Sequence, residues 1–483
     1  MSQRIARLGL TIGLLTLAAA CTRLTPEQQL VHDAANALGG ADRVRAAGVV
    51  VLEGTGRQWN LGQDLRPGLA EQTFTVSAFQ RAIDLDAARM RTTSTRTPNF
   101  AYFQGPQAQT QVQGLDNDLA YNVGANGTPA RASSATAADR RVERLHHPLV
   151  LVALALEDGA GLSPVRVNGA ERALDVTTPA GAITLVVGAD ARPLRIESPG
   201  TNINLGDVRL TTTFADYADA AGGLRLPARF ATKVDDFTTG EYQVTSRAGT
   251  ESLEAPAAVA DMPVPGAPVP NVLVQGLTPD VWLLGGGSHN SVVVAFKDRL
   301  VLIEAPQSEA RSAVVIARAR ELRPGTPLTH LVMSHHHFDH STGLRASIAG
   351  GLTVVTHAGN EAFVKELAAR PFTRTPDALA KAPKPVSVET VADTRTITDG
   401  TRSLVLYHLA GNPHSDTMLM AYLPKERLLI EADAFSPGGT YHPYAANLLE
   451  HVERLKLNVD RIVPLHGAVA TMADLKAAAR PAP

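Results

Sequence analysis

Between residues 49 and 252, short apolar-rich runs are broken at close intervals by Gly, Asp, Asn and Pro. Runs such as Val49-Val50-Val51-Leu52, Ala182-Ile183-Thr184-Leu185-Val186-Val187 and Val208-Arg209-Leu210-Thr211-Thr212-Thr213 predict strands joined by turns. Ahead of them a helix is predicted over Glu27 to Leu38, stopped by Gly39-Gly40, and a second helix-like apolar segment spans Pro148 to Leu156. Residues 25–254 therefore read as a mostly antiparallel β domain. Residues 255–270 are dense in Pro and Ala with almost no charge, which predicts a semi-rigid linker and a domain boundary. Over 271–475 the pattern becomes a regular alternation. Strands are expected at Val292 to Phe296, Leu300 to Ile303, Leu328 to Met333, Leu352 to Thr356, Leu404 to His408, Met418 to Tyr422, Leu428 to Ile430 and Arg461 to Pro464. Helices are expected at Glu309 to Leu322, Glu361 to Arg370 and Asn447 to Leu457. Strands interleaved with crossing helices imply a layered domain, so the chain as a whole is α+β.

A length of 483 residues suits about two or three domains, and 44% hydrophobic with 19% charged residues suits a soluble globular protein. A net charge of -2 leaves no basic footprint, so nucleic acid is not an expected partner. At the N-terminus, Arg4 and Arg7 precede an uncharged stretch, Leu8 to Ala20, too short to span a bilayer comfortably. Residues 1–21 read as an export signal. The run Ala18-Ala19-Ala20-Cys21 resembles a bacterial lipobox, although Ala18 stands where Leu is more usual. That resemblance implies a lipid on Cys21 and a membrane anchor in the cell envelope; the alternative is an ordinary signal peptide cleaved away with its cysteine. Thr22, in place of Asp, resembles lipoproteins sent to the outer membrane, facing the periplasm. Cys21 is the sole cysteine, so any metal ligands must be histidines and carboxylates.

Such ligands are concentrated in Ser334-His335-His336-His337-Phe338-Asp339-His340, directly after a predicted strand. Side chains two apart on an extended segment share a side, so His335 and His337 can grip one ion. Where the chain then turns, Asp339 and His340 can address a second. Imidazole with carboxylate is a ligand set that suits Zn²⁺. A histidine run alone could equally be an exposed loop. Three further residues strengthen the metal reading, because His414, Asp433 and His466 each end a strand or the turn after one, where α/β domains place their sites.

This order of motifs resembles the metallo-β-lactamase superfamily over about residues 270–475. The resemblance implies an αββα sandwich. It implies that His335, His337 and His414 hold one metal, that Asp339, His340 and His466 hold another, and that Asp433 bridges both. Two Zn²⁺ are the expected cofactors, with Fe or Mn as alternatives, and Asp339 gains a catalytic role in orienting the water that the metals activate. The chain departs from the family pattern at Glu304, where Asp is usual, and His340 stands where some β-lactamases carry a basic residue. The pattern is thus closer to the glyoxalase, lactonase and broad-hydrolase branches. The implied function is hydrolysis of a small ester, lactone, thioester or amide outside the cytoplasm. The alternative is a non-hydrolytic metal-binding, redox-relay or partner-binding lipoprotein; retention of all seven ligands favours catalysis, since a pure binding module has no need of the water-holding Asp339. Nothing in the sequence sets the oligomeric state.

Three more residues are candidate substrate contacts. His289 lies in the glycine-rich loop Gly285 to Asn290, and Tyr441 and His442 lie in the loop Phe435 to Ala446 that follows Asp433. His336 is expected to flank the ligands without joining them. His146 and His147 are expected on the surface.

Overall fold

The computed structural model describes residues 23–102, 105–267, 269–438 and 441–480; the export segment and Cys21 lie outside the described residues. Residues 49–249 carry one thirteen-stranded sheet. Near its centre the strand Val49–Trp59 pairs antiparallel with Thr73–Asp84 on one side and with Phe237–Gly249, the middle strand, on the other. From that centre two meanders spread outward to the three-residue edges Pro129–Arg131 and Arg166–Asn168. Alternation decides the faces: Val50 and Leu52 turn toward the helices Pro26–Ala37 and Pro148–Ala155, while Val51 packs on the opposite face with Ala82 and Leu253.

One helix of this domain, Ser134–Leu145, has no counterpart in the sequence reading. Its inward stripe is short and includes Arg140, which is 6% exposed and donates to the carbonyls of Gly114 and Tyr121, so no continuous apolar face marks it. The next two residues correct an expectation. His146 and His147 are buried, not on the surface. They precede Pro148–Ala155, a helix too apolar on every side to face water, and they are drawn inward with it. The ring nitrogens of His146 meet Thr212 Oγ1 at 3.0 Å and Ser198 Oγ at 2.8 Å, and His147 lines a cavity of about 220 Å³. Burial pushes both imidazoles down, to about 4 and about 3, so both are neutral.

The region expected as an extended linker contains a helical turn, Ala257–Ala260, whose Val259 is fully buried. Beyond it lie a seven-stranded and a five-stranded sheet. Val292, Val294, Val301, Ile303 and Val355 of the first meet Leu404, Leu406, Leu419, Ile430 and Val463 of the second. The opposite face of the first sheet, with Val293, Ala295 and Leu302, is covered by the helices Glu309–Glu321, Leu344–Ala349 and Glu361–Ala369. That of the second, with Met420 and Leu429, is covered by Ala445–Arg454 and Met472–Ala478. This is an αββα sandwich. Strands buried on both faces explain why runs such as Val292-Val293-Val294-Ala295 are apolar without alternation.

The two domains share a core. Leu205 and Val208 of the first domain lie in the same buried cluster as Leu284, Leu302, Val315 and Leu367 of the second, with Leu61 and Leu210 packed against it. Arg370 Nε donates to Leu205 O at 2.6 Å, and Asp207 N to Pro371 O at 2.8 Å.

Candidate metal centre

The strand Leu328–Val332 runs on in extended form to His337, and a helical turn, Phe338–Ser341, follows. The extended part aims His335 and His337 into one pocket, and the turn brings His340 and Asp339 beside them. His335 and His337 are fully buried and His340 is 2% exposed. His414 arrives from the loop after Ser403–His408, where Asn412 Oδ1 accepts its backbone N–H at 2.9 Å. Asp433 follows the strand Leu428–Glu431, and His466 follows Arg461–Pro464.

The structure brings all seven together. His337 Nδ1 is 2.9 Å from His414 Nε2, which is 2.8 Å from Asp433 Oδ2; His335 Nε2 is 3.8 Å from the same oxygen. The other carboxylate oxygen, Oδ1, lies 3.1 Å from His340 Nε2 and 3.0 Å from His466 Nε2. Asp339 Oδ2 is 3.6 Å from His340 Nε2. Asp433 thus stands between two sets of nitrogens.

His289, read from sequence as a substrate contact, enters the second set: its Nε2 is 3.1 Å from Asp339 Oδ2 and its ring centroid 3.9 Å from that of His466. The ligand atoms of His289, Asp339, His340 and His466 all lie within 4.8 Å of one another, as do those of His335, His337, His414 and Asp433.

These residues fit a pair of divalent cations. His335 Nε2 is buried with no hydrogen-bond partner, which is costly unless something else satisfies it. Ligands about 2.0–2.1 Å from a tetrahedral Zn²⁺ stand roughly 3.3 Å apart, close to the spacings here. Burial, reinforced by the neighbouring imidazoles, holds His335 and His337 well below the usual histidine range, leaving neutral rings with lone pairs to offer. Burial would raise the Asp433 carboxyl, but His340 and His414 override it and hold it ionised. Burial likewise opposes charge on His340, yet Asp433, Asp339 and Glu304 together push it well above its ordinary value. Three carboxylates around one imidazole make a field that draws cations.

The other nitrogens of the ligand rings are tied from behind. Ser334 Oγ lies 2.9 Å from His335 Nδ1, and His466 Nδ1–H donates to Ser288 O at 3.1 Å. His340 Nδ1–H donates to Glu304 Oε2 at 2.9 Å. Such partners fix ring orientation and tautomer. Asn290 Nδ2 donates to Pro464 O and Gly467 O, at 3.1 and 2.8 Å, and so steadies the turn that carries His466.

Residues passed over in the sequence complete the surroundings. His336 does not reach the ligand pocket; its Nε2–H donates to Asp64 Oδ1 at 2.9 Å. Asp64 O accepts from His337 Nε2 at 2.9 Å, and Gln63 Nε2 donates to Asp339 Oδ1 at 2.8 Å. Both belong to a turn of the first domain that carries no metal-site signature in the sequence. Glu431, 1% exposed, is pushed well above the usual carboxylate range by burial and by Asp433. The Tyr444 ring lies 5.0 Å from that of His414, tilted by 44°, and its hydroxyl donates to Ala101 O of the first domain. His442 is buried 5.3 Å from Tyr444, whereas Tyr441 is 47% exposed. The centre opens toward solvent at Asp339, whose side chain is 40% exposed, and at His466, 26% exposed.

Residues 284–468 match the family model of the metallo-beta-lactamase superfamily. No curated protein sequence matches the chain. Among solved structures, a metallo-beta-lactamase from Pontibacter korlensis is 18% identical, covering 43% of this chain and 96% of its own, with a TM-score of 0.34. One from Hirschia baltica is 18% identical over 44% of this chain and 99% of its own, TM-score 0.35. FIM-1 from Pseudomonas aeruginosa, in its mono-zinc form, is 16% identical over 43% and 93%, TM-score 0.35.

Proposed function

We propose that this chain, whose residues 284–468 belong to the metallo-β-lactamase superfamily, is a dinuclear metal-dependent hydrolase that cleaves a small ester, lactone, thioester or amide outside the cytoplasm. One observation carries the reading. The two oxygens of Asp433 face two separate groups of imidazoles, and His335 Nε2 is buried beside them with no hydrogen-bond partner. His335, His337 and His414 would hold one ion and Asp339, His340 and His466 the other, with Asp433 shared and His289 within reach of the second. When bound, the cations supply Lewis acidity to the scissile carbonyl and lower the pKa of a water between them. A set of imidazoles and carboxylates suits two Zn²⁺, with Fe or Mn as alternatives.

The chain's own groups do the rest. Asp339 is the ligand carboxylate most open to solvent, and His340 and His289 hold it ionised against the effect of burial. Its charge can orient the attacking water from the solvent side, while Oδ1 is engaged by Gln63 and Oδ2 by His289. The buried imidazoles behind it exclude bulk water from the inner side of the pocket, and the wall of Tyr444 and His442 limits what can reach His414.

Elemental analysis of metal-replete protein should return close to two equivalents per chain. Asp433→Ala should lose both metal and turnover on a panel of lactones, thioesters, esters and β-lactams. One equivalent or fewer in the wild type, or full turnover in Asp433→Ala, would overturn the dinuclear reading.

A further inference from the structure

The loop 60–72 joins the strand Val49–Trp59 to Thr73–Asp84 in the first domain. Each residue from Leu61 to Arg66 touches the second domain. Leu61 packs on the shared core, Gly62 O accepts from Phe338 N at 3.2 Å, and Gln63 holds Asp339. Asp64 takes His336 and His337, Leu65 O accepts from Asp416 N at 2.8 Å, and Arg66 pairs with Asp416 at 3.3 Å.

We infer that this loop is a working part of the metal centre: Asp64 is a positioning residue that selects which nitrogen of His337 faces the ion, so the N-terminal domain completes a centre whose ligands all lie in the C-terminal one. The inference rests on the metal-centre reading above.

An imidazole offers either nitrogen to a metal, and the hydrogen bond at the other decides which. His337 Nε2–H donates to the carbonyl of Asp64, which leaves the lone pair on Nδ1, the atom 2.9 Å from His414 Nε2. The Asp64 carboxylate, 6% exposed as a residue, is spent on His336 Nε2–H, so side chain and carbonyl grip two consecutive residues of the ligand segment. A loop that only docked the domains would have no reason to aim its most buried acid there. The seat is also closely fitted. Gly62 has φ +76, and a Cβ on it would lie 2.2 Å from the Phe338 ring. From its own domain, Glu71 Oε1 and Oε2 accept from Gly62 N and Gln63 N at 3.1 and 3.2 Å, fixing the tip of the loop.

The test is a competitive zinc titration of the full-length protein against a chromophoric chelator, with thermal unfolding of the metal-free form alongside. Asp64→Ala keeps the carbonyl that meets His337 Nε2 but frees the loop from His336, so that carbonyl is no longer held in place. It should weaken one of the two zinc ions by about 10- to 100-fold and leave the other near wild type, the range expected when a ligand's outer partner is disturbed. Asp64→Asn keeps an acceptor for His336 and should recover most of that affinity. His336→Phe breaks the same grip from the other side without touching a ligand. It should reproduce the loss, and combining it with Asp64→Ala should add little more. Zinc affinities within twofold of wild type in Asp64→Ala and in His336→Phe would overturn the inference. So would losses that track metal-free stability and are not rescued by Asp64→Asn. A wild type that takes up no zinc would instead overturn the reading of the centre itself, and the wild-type titration reports that separately.

Discussion

Glu304 sits in the left-handed region at φ 66, a conformation that costs a non-glycine residue roughly 1–3 kcal/mol. It accepts from Ser334 N at 2.6 Å with one oxygen and from His340 Nδ1 at 2.9 Å with the other, so one strained residue steadies both the start and the end of the ligand segment. A glutamate where the superfamily usually has Asp is thus a longer arm serving two bonds. Glu304→Gln should weaken the zinc ion held by His340 by about 10- to 100-fold, read by the same chelator competition; unchanged affinity would reduce Glu304 to packing. Asp339→Asn should cut turnover by about 10²-fold or more with the fold intact by circular dichroism, and full turnover would remove Asp339 from the chemistry. Glu71 carries a pH dependence. Burial raises its carboxyl from 4.5 to about 7, so the folded state binds the proton more tightly than the unfolded one. Stability from this group therefore falls as pH rises from 4.5 to about 7 and is level above that. Thermal unfolding of Glu71→Gln across pH 4.5 to 8 should lack this component; profiles parallel to wild type would reject it. The convergence of the HxHxDH segment with His414, Asp433 and His466 was legible because each follows an apolar run at a strand end. Gln63 and Asp64 were not. In Asn60-Leu61-Gly62-Gln63-Asp64-Leu65-Arg66-Pro67-Gly68 nothing but turn chemistry shows, and its partners are far along the chain.

Among the elements, eight second-domain strands were read within a residue or so because burial on both faces leaves unbroken apolar runs, whereas Leu273–Thr278, Val281–Gly285, Val388–Val391 and Thr394–Thr398, most of them at sheet edges with exposed positions, were not expected. The strand Val49–Trp59 extends well past its apolar start, since Glu53, Thr55 and Arg57 belong to a sheet surface that tolerates polar side chains. Ser134–Leu145 escaped because a hydrogen-bonded arginine occupies part of its inner stripe. Loops were the least legible elements, and the one that matters most is set by Gly62. Gly62→Ala combines an unfavourable φ with a collision against Phe338, so it should lift the loop off the ligand segment and lower stability by about 1–3 kcal/mol in chemical denaturation. A variant as stable as wild type would mean that the seat is looser than the geometry implies.

Over the whole molecule, the shared cluster of Leu205 and Val208 with the second-domain core implies one cooperative unit. Calorimetry of the intact protein should give a single unfolding transition, and two separated transitions would restore a division into independent modules. Among the described residues no helix is long and apolar enough to cross a membrane. We propose that attachment falls to a lipid on Cys21. Cys21→Ser should then shift the protein from the membrane to a soluble or unprocessed form, and an unchanged membrane fraction would exclude the anchor. The central pairing of the large sheet has a consequence in time. Its register joins Val49 to Gly249, the first strand to the last, so the middle of the sheet is the part that closes latest. Until then the strand bearing the loop 60–72 has a neighbour on one flank only. A chain emerging amino end first presents the histidines proposed to hold the metals, His335 to His466, only after Gly249, to a loop whose sheet is already able to close.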